Sequence, residues 1–185
     1  MKVITALIIS ILFGSCGSPF LKHVIKHKKG VTRQFSTTNS IFLPYAEEFK
    51  NAHTKTHGTK ISVGHIPINF GSPSNDSFVA VCHIYYDGSK EILIRKDKWE
   101  QFADGDKRLT IFHELGHCYL DRSHKNDKIV YEGKEFNTSI MSATLMPSTD
   151  YKKYQSLYDK ELFTKNHEPL KETLNSPHYI LDSTK

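Results

Sequence analysis

The sequence predicts an α+β fold: a small mixed, twisted sheet, a nearly buried central helix, a turn carrying a methionine and a closing C-terminal helix. Three observations point there. Residues 78–86 are the most strand-like run in the chain, and they lead through Asp87-Gly88, a strong hairpin signal, into Glu91-Ile92-Leu93-Ile94-Arg95. From Leu109 onward, Leu109, Phe112 and Gly116 share one helical side while Ile111 and Leu115 fill the side next to it, the pattern of a helix covered nearly all round. Further on, Tyr151, Tyr154, Leu157, Tyr158 and Leu162 recur at helical intervals.

Taken in order, Met1-Lys2 is a short positive start, and Val3 to Phe13 is an apolar run too short to span a bilayer comfortably. It ends at Phe13-Gly14-Ser15-Cys16, which resembles a bacterial lipoprotein signal: residues 1–15 would be removed and Cys16 would carry the lipid. The alternative is an ordinary signal peptide with an incidental cysteine. Gly17 in the next position resembles the outer-membrane default of Gram-negative sorting. Residues 16–40 read as a lipid-anchored tether, basic over Lys22 to Lys29 and then polar without periodicity. The basic stretch is a solvated spacer, or it lies against anionic headgroups.

Residues 41–165 read as the folded domain and residues 166–185 as a polar C-terminal tail. A helix is expected from Pro44 to about His53, because Tyr45, Phe49 and Ala52 share a face and Pro44 is tolerated in the first turn. Thr59 to Ile66 alternates like a strand, and Pro67, Gly71 and Pro73 close it into a loop. Asp104-Gly105-Asp106 is a turn in which either aspartate can cap the central helix. Residues 125–137 read as a surface loop with a short strand near Ile129-Val130-Tyr131.

The 185 residues carry a formal charge of +5, which drops to +4 without residues 1–15 because they hold one lysine and no acid. So mild an excess gives no reason to expect nucleic acid as a partner. The length suits one domain with a proper core and no second one, and a monomer is expected.

The chemistry concentrates in Ile111 to His124. His113-Glu114-Leu115-Gly116-His117 sets two imidazoles four residues apart, one above the other on the same helical face. That spacing suits Zn²⁺ at roughly 2.0–2.1 Å from each nitrogen. Glu114 is displaced around the helix, where its carboxylate can address a metal-bound water, as a general base must. A catalytic zinc needs a third protein ligand and an open position. His124 is the nearest candidate, with Glu132 or Glu135 as rivals. Gly116 lowers helix propensity within the motif and calls for another justification, such as close packing. His53/His57 and His23/His27 repeat the four-residue spacing without an adjacent carboxylate and read as decoys.

Together with the later Ser139-Ile140-Met141-Ser142, this stretch resembles the metzincin clan of zinc peptidases, whose pattern is H-E-x-x-H-x-x-G-x-x-H followed by a methionine turn. It resembles still more closely a group of bacterial lipoprotein metallopeptidases with H-E-L-G-H-C-x-L-x-R-x-H and a later S-I-M. Leu120 stands where the clan has its glycine and Ser123 where it has its third histidine, and His124 arrives one residue late. The turn after the helix must therefore hold an extra residue. Asp121 is a fair substitute for the missing glycine, because aspartate tolerates the left-handed conformation better than most residues.

The resemblance implies a metzincin-like zincin fold and zinc-dependent, endopeptidase-type amide hydrolysis. It implies that Met141 is an apolar floor beneath the zinc and not a ligand. It also implies that residues 78–86 are an edge strand along the cleft, able to hold an extended peptide or protein substrate by main-chain hydrogen bonds. His83, Tyr85 and Tyr86 either line that cleft or simply pack. The alternative from another class is a non-catalytic zinc-binding lipoprotein, a binding or structural module. The glutamate beside the ligands speaks against it, because a purely structural site fills its four positions with protein ligands.

Of the three cysteines, Cys82 and Cys118 remain once Cys16 is set aside, an even pair in an exported compartment. They either form a disulfide pinning the strand to the central helix or remain two small buried thiols.

Overall fold

A four-stranded mixed sheet and the helix packed on it organise the structure, a computed structural model that describes residues 24–73, 78–165 and 167–176. Residues 1–23 lie outside the described residues, and with them Cys16, His23 and the signal segment; so do residue 166 and residues 177–185 of the tail. The fold class is α+β, with a small mixed sheet and several helices. Among the described residues, no helix is long and apolar enough to cross a membrane.

The sheet is built from β1 (Ile25–Lys26), β2 (Ile68–Phe70), β3 (Ala80–Ile84) and β4 (Lys90–Ile94), in the order β1-β3-β4-β2. β3 and β4 are the expected hairpin, antiparallel with Cys82 opposite Ile92, and Gly88 in the turn has φ +81°. The alternation over residues 59–66 does not become a strand. The amide of Ile66 folds back on the carbonyl of Val63, and pairing begins only past Pro67, where Ile68 meets Ile92 in parallel register. Alternation describes which side is apolar; a partner at the right height decides whether a strand forms. Residues 78–86 are also not an edge strand throughout. β1, from the stretch read as tether, pairs with β3 in parallel at His83 and Ile84.

That stretch is strapped down along its length. The amides of Gln34 and Phe35 donate to the buried carboxylate of Glu91, and the amide of Asn39 donates to the carbonyl of Ile68. After a 3-10 turn at Ser40–Phe42, α1 (Leu43–His57) runs a turn longer than expected and stops at Gly58, whose φ of +71° ends the helix. Its Phe49 is fully buried and meets Phe112 and Phe163 edge-on, each with centroids 5.2 Å apart. A short α2 (Lys96–Gln101) buries Trp99 against Phe42 and Tyr45.

The central helix α3 (Asp104–Cys118) is buried without interruption from Leu109 to Cys118. Neither aspartate caps it. Ala103 takes the N-cap position, and Asp104 and Asp106 sit in the first turn, where their negative charge complements the positive end of the helix dipole. The expected loop after it is instead a hairpin, β5 (Lys128–Tyr131) with β6 (Lys134–Asn137), turning at Glu132-Gly133 with both φ values positive. The C-terminal periodicity is split by Tyr154 into α4 (Ser148–Lys153) and α5 (Gln155–Phe163). Beyond it the core continues: α6 (Pro169–Leu174) buries Leu170 and Leu174 within the stretch read as a polar tail.

Candidate metal centre

α3 presents His113 and His117 one turn apart, both fully buried, with Glu114 fully buried beside them. The chain then has to bring a third histidine back. The amides of Tyr119 and Leu120 both reach the carbonyl of Leu115, Asp121 adopts φ +53°, and the amide of Arg122 reaches the carbonyl of Gly116 at 2.9 Å. That last bond spans one residue more than the 6→1 bond of a Schellman ending. The extra residue required by the late third histidine is therefore stored in this turn, and Asp121 is the residue that turns left-handed.

His113, His117 and His124 come together, with ligand atoms all within 4.8 Å of one another, close enough to hold a metal ion. The Nε2 of His113 lies 3.0 Å from that of His117 and 3.3 Å from that of His124. Backbone carbonyls fix the other side of the two helical rings. The Nδ1 of His113 donates to Ile140 at 2.7 Å, and the Nδ1 of His117 donates to Arg122 at 2.5 Å. A carbonyl can only accept, so the proton of each neutral ring is on Nδ1 and the Nε2 lone pairs face one another. A shared cation relieves that confrontation.

Burial pushes the Glu114 carboxyl well above the usual carboxylate range, and the backbone N–H of Cys82 counteracts only part of this. No side chain among the described residues hydrogen-bonds either carboxylate oxygen, and the Cys82 N–H is the polar group set against them. A buried carboxylate left in that condition is costly.

Ser139 to Ser142 form a turn, with the amide of Ser142 on the carbonyl of Ser139, and Met141 is fully buried in it. A Cβ on Gly116 would fall 2.5 Å from the Met141 sulfur and 3.2 Å from Leu162, so the glycine makes room for the methionine. On the opposite side, Cys82 of β3 is disulfide-bonded to Cys118 of α3, with Cα atoms 5.6 Å apart. The bond fastens the strand to the helix directly after His117.

The rival ligands stay away. Glu135 pairs with Lys128 on the exposed hairpin, and Glu132 occupies its turn. His53 and His57 are bonded to the carbonyls of Thr59 and Phe163 and join no such group. His83 and Tyr85 pack: His27 bonds His83 at 2.7 Å and stacks on Tyr85 with centroids 4.5 Å apart, while Tyr86 points to solvent.

Sequence reasoning gave no role to Arg122, Ser139 or Glu161, which form a buried polar network behind the histidines. The signal that could have found Glu161 is its place on the apolar side of its helix, three residues after Tyr158 and four after Leu157. No family model, curated protein or solved structure matches the chain, so the case for a function rests on the site itself.

Proposed function

We propose that this chain is a zinc-dependent metallopeptidase of metzincin type, cleaving extended peptide or protein substrates. The carrying observation is the histidine triad, with two of its rings locked by carbonyls so that Nε2 faces inward, beside a buried glutamate that no side chain among the described residues hydrogen-bonds. Two nitrogens bound to one tetrahedral zinc at about 2.0–2.1 Å lie roughly 3.3–3.4 Å apart. The 3.3 Å separation matches that spacing, and the 3.0 Å one is a few tenths of an ångström shorter.

Zinc held by His113, His117 and His124 would supply Lewis acidity to a scissile carbonyl and bring the pKa of a water towards about 7. The protein's own part is proton traffic and positioning. Glu114 takes the proton from the attacking water and delivers it to the leaving amine. Ile140 and Arg122 hold two of the rings through their carbonyls. Met141 keeps water out from below. β1 covers β3 at His83 and Ile84, and Ala80, Val81 and Cys82 are fully buried, so a substrate strand has no open main chain along this stretch.

The test is a paired measurement on the full-length protein. Glu114→Ala should keep bound zinc yet lose cleavage of a mixed peptide pool. Full activity in that variant would overturn the role of Glu114, and a wild-type protein that takes up no zinc would overturn the whole reading. Lipid anchoring at Cys16 belongs to the same proposal. It predicts palmitate labelling of the wild type and none of Cys16→Ser.

A further inference from the structure

Glu161 on α5 is fully buried, and its two oxygens hold two different pieces of chain. Oε1 accepts from Nη2 of Arg122 at 2.6 Å, and Oε2 accepts from the hydroxyl of Ser139 at 2.6 Å. The carbonyl of Arg122 is the acceptor that orients His117. The Ser139 hydroxyl also accepts from the amide of Met141 at 3.0 Å, and between these two residues lies Ile140, whose carbonyl orients His113. One carboxylate therefore ties together both backbone segments that set the helical imidazoles. Arg122 completes the knot by donating to the carbonyls of Glu161 and Leu162 at 3.0 and 2.6 Å.

Stability alone gives little reason for such a pair. Taking an arginine and a glutamate out of water costs several kcal/mol each, and apolar residues of similar volume often serve a core as well or better. What an apolar pair cannot do is hold two peptide carbonyls at hydrogen-bonding distance from two rings. Groups that orient ligating histidines typically change metal affinity 10–100-fold when removed.

We infer that Glu161 is a positioning residue that sets the metal affinity of the centre, because it fixes through Arg122 and Ser139 both carbonyls that orient His117 and His113. This rests on the metal-centre reading, and the experiment separates the two. Zinc affinity of the full-length protein is measured by competition with a chelating indicator, and the ligand field by the visible absorption of the Co²⁺-loaded protein. Glu161→Gln should weaken zinc binding about 10–100-fold and alter the Co²⁺ bands. The double variant Arg122→Met/Glu161→Leu should still unfold in one cooperative urea transition and show the same loss in its folded fraction, which separates positioning from folding. Asp159→Asn is the control. It removes a carboxylate from the same helix that pairs with Arg108 at 2.9 Å, and it should leave zinc affinity unchanged. Wild-type zinc affinity and Co²⁺ bands in both Glu161 variants would overturn the inference and leave the metal centre standing. If the wild type bound neither ion, both would fall.

Discussion

Met141 and Gly116 occupy one space: a Cβ on the glycine would stand 2.5 Å from the methionine sulfur. Alanine in place of glycine inside a helix ordinarily stabilises by about 0.5–1 kcal/mol. Here the sign should reverse. Gly116→Ala should destabilise the fold by about 1–3 kcal/mol through overpacking, read by urea unfolding. A stabilised variant would mean that Met141 yields easily and is no fixed floor.

The third ligand is open to direct comparison. His124→Ala should purify with little zinc, whereas Glu135→Ala, which only breaks a surface pair with Lys128, should keep a full equivalent. Metal analysis after desalting decides between them. Equal zinc in both variants would remove His124 from the centre.

Metal-free protein should be limited by Glu114. Its folded-state pKa is raised above the ordinary 4.5, chiefly by burial. A raised carboxyl helps stability below the unfolded value, and that contribution is lost as pH climbs towards the folded one. Glu114→Gln should therefore melt higher than wild type in excess chelator, with a gap that opens above about pH 4.5 and widens towards neutrality. A gap that stays constant with pH would refute this account.

Joining Cys82 to Cys118 closes a loop with a sequence separation of 36. Chain-entropy arguments put the associated stabilisation at about 3–4 kcal/mol. The Cys82→Ala/Cys118→Ala variant should lose an amount of that order in denaturant titrations. Alkylation of unreduced, unfolded wild type should leave both of these cysteines unmodified. Two modified thiols would exclude the bond.

What could be read from the sequence was what short-range geometry determines. Two histidines four residues apart on a helix must share a face, and an aspartate in a glycine's place is suited to the left-handed turn that Asp121 makes. Close packing was a reason already available for Gly116, and Met141 supplies it. What escaped was long-range. Glu161 lies 39 residues from Arg122, and no local pattern says that an acid on an apolar helical side has a partner waiting. β1 is two residues long in a polar stretch, so only its pairing with His83 and Ile84 defines it. Residues 59–66 erred the other way, with good alternation and no strand to pair with.

The strap from Val24 to Asn39 leaves the domain little mechanical slack at its leading end. Tension arriving ahead of residue 24 would load β1 in shear against β3, because parallel strands resist a lengthwise pull with all their bonds at once. Through the Cys82–Cys118 bridge the same load reaches the helix that bears the imidazoles.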